Sequence, residues 1–256
     1  MSAVTQYPLV LAHGLARPDT GVRRCTWGRI PALLRAEGAA VYLAGQDAWG
    51  SIETGAAQLA RAVDRARGET GCGKVNIIAH SKGGLEARYL ISRMGYAGRV
   101  ASLTMLATPN RGARAAERLL RLPVIGIWAR DNDARWRGRD TKPETLHAGR
   151  QLTPAALARF NRETPDAPAV YYQSWGACID VRHPDRAMAL AHALFYRAYG
   201  ASDGMVTPES ARWGAYRGTL AGVSHQQLVD AADGDGAFDI AAFYRSLVCD
   251  LAEKGF

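Results

Sequence analysis

The chain has 256 residues, of which 48% are hydrophobic and 22% charged, the proportions of a soluble globular protein, which exclude a disordered one. The length suits one α/β domain carrying one large insertion. A formal charge of +8 would favour anionic membranes, fatty acids or nucleic acid as partners. The arginines are scattered, however, and no basic patch with interleaved aromatics marks a nucleic-acid site.

The N-terminal run MSAVTQYPLVLAHG has neither the basic start nor the long apolar stretch of a secretory leader, so the expectation is a cytoplasmic protein, or a secreted one already relieved of its leader. Leu9 to Ala12 reads as a first strand ending in His13 and Gly14, and Val41 to Leu43 as a second. Thr54 to Arg67 places Ala56, Leu59, Ala60 and Val63 at helical spacing, and Gly71 to Gly73 supplies its stop. Val75 to Ala79 and Ser102 to Ala107 are the next strands. About sixty residues then pass before another convincing strand, more than a crossover needs, which predicts an insertion over 113–165. Within it, the apolar stretch Leu119 to Ala129 is broken by Arg121 and Pro123 and falls short of the roughly 20 residues of a membrane span. Core-packed helix and lipid-touching lid are both open readings of it. A charged segment, Arg130 to Asp140, follows, and Thr153 caps a helix with Pro154 at its first position. Val170 to Ser174 and Thr219 to Val223 complete six strands alternating with helices, the pattern of a mostly parallel sheet flanked by helices.

Cys25, Cys72, Cys178 and Cys249 are too far apart for a C-x-x-C redox pair or a zinc site. A disulfide and reduced, packed thiols both remain open.

The strongest chemical pattern is VNIIAHSKGG at Val75 to Gly84, a buried-type strand running into a small-x-Ser-x-Gly turn and then a helix. This is the pattern of a nucleophile elbow with Ser81 at its tip, and Ala79 stands where glycine is usual. Ester cleavage by a serine passes through an oxyanion that needs N–H donors. The backbone N–H of Lys82 at a helix start and that of Leu15 after His13 and Gly14 are the candidates, with His13 bracing the loop. A serine also needs a histidine base backed by a carboxylate, in the chain order Ser, Asp, His on such folds. His225, just past the last strand, is the preferred base over His183 and His192, which read as surface or lid residues. For the acid, Asp203 in Ser202-Asp203-Gly204 is preferred, with Asp180, directly after the fifth strand, as its rival.

Together the stretches YPLVLAHGL, QDAWGSIETGAAQL, VNIIAHSKGGLEARYLIS, LATPNRGA, VYYQSW, SDGMVTPESARWG and GVSHQQLVD resemble, in order and over nearly the whole chain, the bacterial triacylglycerol lipases and esterases of the α/β-hydrolase superfamily. The resemblance implies an α/β-hydrolase fold, a Ser81, Asp203 and His225 triad, Leu15 and Lys82 as oxyanion donors, and residues 113–165 as a lid. It implies hydrolysis of acylglycerols or other lipid esters, with transient contact with a lipid interface and no nucleic-acid partner. Thioesterase, polyester depolymerase and acyltransferase activities stay open on the same scaffold, as does a binding protein that has kept the fold without turnover. Secreted relatives hold a structural calcium through an aspartate two residues after the histidine. Gln227 stands there instead, and Asp180 or Asp185 would be left as the lone carboxylate, so no calcium or other cofactor is expected.

Overall fold

The computed structural model describes residues 4–16, 18–19, 26–231 and 238–256, without the side chains of residues 195, 197 and 198. Cys25 lies outside the described residues; Cys72, Cys178 and Cys249 are free thiols.

Six strands form one sheet in the order β2-β1-β3-β4-β5-β6, every neighbouring pair parallel. Parallel neighbours require crossovers, and helices supply them. In chain order the elements are β1 (Leu9–Ala12), α1 (Ile30–Ala36), β2 (Val41–Leu43), α2 (Ile52–Thr70), β3 (Val75–His80), α3 (Lys82–Arg93) and β4 (Val100–Leu106), then α4 (Arg114–Leu119), α5 (Ile125–Trp136), α6 (Thr145–Gln151) and α7 (Pro154–Glu163) before β5 (Tyr171–Cys178). α8 (Arg186–Tyr199), α9 (Pro208–Ala211), β6 (Ala215–Ala221) and α10 (Ile240–Glu253) complete the fold.

Alternation along the strands divides the core between the two faces of the sheet. Val10, Ala12, Ile77, Ala79, Leu103 and Met105 pack with Leu59 and Val63 of α2 and Leu90 of α3. Leu9, Leu11, Ile78 and Leu106 pack on the other face with Leu34 of α1 and Leu247, Val248 and Leu251 of α10. One edge strand of the sheet, β2, is only three residues long. Its carbonyls are taken by arginines, Arg35 Nη2 donating to Val41 O at 2.6 Å and Arg65 Nη2 to Leu43 O at 3.1 Å, which closes the edge to further strands.

Local signals place several boundaries as read. Gly71 ends α2 with φ 70°, while the helix starts two residues before the Thr54 read from sequence, with Ser51 as its cap accepting from Thr54 N at 3.2 Å. Thr153 accepts from Ala156 N ahead of Pro154. Two strands differ. β5 continues through Cys178, and β6 begins four residues before the predicted Thr219. β6 is an edge strand whose residues alternate between exposed and half-buried, so the apolar run chosen from sequence marks the turn after it, where Val223 packs against Leu228.

The four helices between β4 and β5 are not alike. α7 is packed down: Leu157 joins Leu85 and Ile52, and the buried Arg88 of α3 donates to Asn161 Oδ1 at 2.8 Å while stacking 3.6 Å from the Trp213 ring. Burial lowers that guanidinium to about 10. Asp140 and Asp47 clamp the segment from both sides, Asp140 accepting from Ala48 N and Trp49 N and Asp47 from Thr141 N and Lys142 N. The α4–α5 region instead leaves Leu119, Leu122, Val124, Ile127 and Trp128 exposed. Among the described residues no helix is long and apolar enough to cross a membrane.

Candidate active site

The end of β3 turns into α3 within one residue. Ser81 takes φ 53° and ψ −128°, a conformation with positive φ that a non-glycine residue adopts at a cost of order 1–3 kcal/mol. Its N–H donates to Leu106 O at 2.9 Å, which ties the tip to β4. The small residues around it are sterically required. A Cβ on Gly83 would stand 2.5 Å from Ala12 O, and one on Gly14 would stand 2.6 Å from Ser81 Cβ and 3.2 Å from Ser81 Oγ. Gly14→Ala is therefore expected to displace the serine and lower turnover of a soluble ester by roughly 10²-fold. Circular dichroism should remain native, and unchanged kinetics in a folded variant would refute the close approach.

Leu15 and Lys82 bracket Ser81 from two loops. Neither backbone N–H donates to another described residue, and that of Lys82 opens α3, where helix N–H groups are unpaired and the dipole favours negative charge. The two loops are joined underneath. Lys82 Nζ pairs with Glu86, whose second oxygen accepts from the Gln46 amide. The Gln46 carbonyl in turn lies 2.9 Å from Nε2 of His13, whose Nδ1 faces Gly14 O at 2.7 Å. His13 braces the loop, as read from sequence. Burial pushes the Glu86 carboxyl up against the opposing pull of Lys82. Removing one partner of such a buried pair costs about 3–5 kcal/mol, so this network rigidifies both loops.

The structure brings Asp203, and not Asp180, to His225. Asp203 is fully buried, with Oδ2 2.7 Å from His225 Nδ1 and Oδ1 accepting from Met205 N at 2.9 Å and Val206 N at 2.7 Å. A carboxylate oxygen can only accept, so His225 donates through Nδ1 and keeps Nε2 as an acceptor. Asp180 is exposed and accepts from Arg182 N at 2.7 Å. His192, read from sequence as a surface or lid residue, is instead buried, with Nδ1 3.1 Å from Ser202 Oγ, because the inner face of α8 packs on the turn that carries Asp203. His183 is half-buried beside Gly222 O at 3.1 Å.

Two supports of His225 were not anticipated from sequence. His80 Nε2 lies 3.0 Å from the His225 carbonyl, and the two rings are 4.4 Å apart. Burial first and His225 second hold the His80 imidazole well below its ordinary value, so it is a neutral donor through Nε2. With His225 N donating to Asp203 O at 3.0 Å, the His225 backbone is held on both sides. Ser224 Oγ donates to Asp185 at 2.6 Å, and Ser224 N to Gln227 Oε1 at 2.9 Å. The only sequence cue to these was adjacency to Ser81 and His225. The same bonds bear on metal binding: Gln227 and Asp185 are engaged with Ser224, and one carboxylate with an amide is a poor donor set for calcium.

Ser81, His80 and His225 open on one cavity of about 320 Å³ with walls that include Leu15, Leu120, Ile125, Trp128, Met188 and Met205. That volume lies in the range of about 300–1,000 Å³ seen for small-molecule sites, and the lining is similarly apolar with a few convergent polar groups. No direct Ser81–His225 hydrogen bond is present among the described residues; such bonds often tighten only with substrate bound.

No family model matches the chain. It is 31% identical over 250 residues to triacylglycerol lipase 2 of Saccharomyces cerevisiae, covering 90% of this chain and 74% of the yeast protein. It is 33% identical over 180 residues to a triacylglycerol lipase of Burkholderia plantarii, covering 64% of this chain and 50% of that one. Staphylococcus hyicus lipase superposes with a TM-score of 0.77 at 16% identity, over 96% of this chain and 95% of the other. The mature Bacillus licheniformis lipase does so at 0.70 and 18%, over 88% and 87%. The chain is thus an α/β-hydrolase and a carboxylic ester hydrolase. Within that class it belongs to the triacylglycerol lipase family.

Proposed function

We propose that the chain hydrolyses lipid-like carboxylic esters by acyl transfer to water. Ser81 attacks the ester carbonyl while His225 takes its proton, and the carbonyl π pair moves onto oxygen, where the Leu15 and Lys82 N–H groups receive it. Collapse expels the alkoxide, which leaves as alcohol with the proton from His225, and an acyl-Ser81 remains. Water, deprotonated by His225, then releases the acid and restores Ser81. Asp203 orients the imidazole and stabilises its cation. No cofactor or calcium enters this scheme.

The observation that carries the proposal is the apolar cavity onto which an elbow serine and a histidine backed by a buried aspartate both open. We take residues 113–165 as the cap of this cavity, since Leu120 and Ile125 line it from above while α6 and α7 anchor the segment to the core. The test is hydrolysis of p-nitrophenyl esters from acetate to palmitate, below and above their aggregation thresholds, beside the matching thioesters. Turnover should favour the longer esters and jump on aggregation. Preference for acetate with no jump would assign a soluble esterase, and faster thioester turnover would overturn the substrate class.

A further inference from the structure

His13 directly follows β1 and is fully buried. Its Nδ1 lies 2.7 Å from Gly14 O and its Nε2 2.9 Å from Gln46 O. A carbonyl oxygen can only accept, so both ring nitrogens have to donate. A neutral imidazole carries one N–H and would turn a lone pair on one of these oxygens, away from any water. Only the imidazolium makes both bonds at once.

The opposite charge that such a ring needs is beside it. Asp19, whose side chain is fully buried, places Oδ1 3.9 Å from His13 Nε2. Among the described residues no hydrogen-bond donor reaches that oxygen, and Oδ2 accepts from Gly45 N at 3.4 Å. A carboxylate so placed is costly without a cation. Burial pushes the Asp19 carboxyl up, and His13 pulls it back. The other groups that act on the ring are Glu86 and Asp140, with His80 held neutral. Lys82 answers Glu86, and Asp140 accepts from Ala48 N and Trp49 N. Asp47, next to Gln46, accepts from Thr141 N and Lys142 N. Among the described residues, His13 is left as the cation for Asp19.

The consequence lies in the next peptide unit. Every described peptide bond is trans, so Gly14 C=O and Leu15 N–H point opposite ways across one rigid plane. Fastening the oxygen to His13 turns the N–H away from that ring. A bond from a charged donor is about twice as strong as a neutral one, and it polarises the amide it grips. Leu15 and Ser81 line the same cavity, and a Cβ on the intervening Gly14 would stand 3.2 Å from Ser81 Oγ.

We propose that Asp19 keeps His13 as a buried imidazolium, and that this cation, through Gly14 O, sets Leu15 N–H as an oxyanion donor. Both are positioning residues; the ion pair stands by itself, and its role in turnover rests on the function proposed above. The test begins with nitrogen NMR of the native chain, its histidine rings isotope-labelled and His13 assigned through the backbone. At neutral pH both His13 ring nitrogens should carry protons. Asp19→Asn keeps the volume and removes the charge. It should cost His13 one ring proton and lower kcat for a soluble ester by roughly 10- to 100-fold with KM near native. A boronic acid, whose tetrahedral adduct on Ser81 uses the same donors, should bind more weakly by a similar factor. Lost packing alone would lower thermal melting and leave the ring doubly protonated. A single ring proton on native His13 would overturn the proposal, as would an Asp19→Asn variant that keeps both ring protons or native kcat. The native spectrum decides the charge even if Asp19→Asn fails to fold. A doubly protonated His13 that loses a proton in Asp19→Asn, in a chain that hydrolyses no ester, would leave the ion pair standing and remove the function instead.

Discussion

Ser81→Ala is expected to lower turnover of a soluble ester by roughly 10⁴- to 10⁶-fold, with KM and thermal melting close to those of the native chain. The hydroxyl contributes no hydrogen bond to the folded structure among the described residues, and the Ser81 N–H that anchors the elbow to Leu106 O is a backbone group that alanine retains. Alanine keeps the same Cβ, so the fit against Gly14 is unchanged. Only the acyl acceptor is lost, and the residual rate reports what the oxyanion donors and the cavity achieve alone. Intact-mass spectrometry after fluorophosphonate treatment supplies a second readout: one adduct on the native chain and none on the variant. Native turnover by Ser81→Ala, or an adduct at another residue, would refute the mechanism.

Asp203→Asn should cost about 10⁴-fold in kcat with the fold intact, while Asp180→Asn should cost little. An amide at 203 can still accept from Met205 N and Val206 N through Oδ1, the two bonds that shape this turn. Its NH₂ would then face His225 Nδ1, where the carboxylate now lies at 2.7 Å. Two donors cannot share that bond, so the imidazole turns to the tautomer protonated on Nε2 and can no longer take the serine proton. Asp180, exposed and with its carboxylate accepting from Arg182 N in its own loop, has no such influence. The comparison is made on kcat for a soluble ester, with circular dichroism as the check on folding. A large loss for Asp180→Asn together with a small one for Asp203→Asn would reverse the assignment.

How legible each part of the site was depends on how far apart its residues stand in the chain. The elbow was readable because everything that makes it is consecutive: an aliphatic strand, a position two before Ser81 that admits only a small side chain, Gly83 two after, and a helix. The caps at Thr153 and the stop at Gly71 were readable for the same reason. Asp203 and Asp180 could not be separated outright, since both lie in turns between Ser81 and His225. The choice fell to the fold, which sends the loop after β5 outward and the turn after α8 inward. His192 was misplaced because a helix with alanines and leucines on all sides gives little indication of which face is inside. The start of β6 was misplaced because an edge strand of half-exposed residues lacks the apolar run that marks a buried one.

By itself, then, the sequence determined what local sterics and hydrogen bonding impose: the parallel α/β pattern, the strained serine, the loop-end N–H donors, and the rank order of candidate partners. Tertiary structure alone decided that Asp203 meets His225 and that His80 and Gln46 support the site from behind. The physical reason is that backbone conformation is chosen among near neighbours, whereas partnership between side chains scores of residues apart is chosen by how whole elements bury their apolar faces.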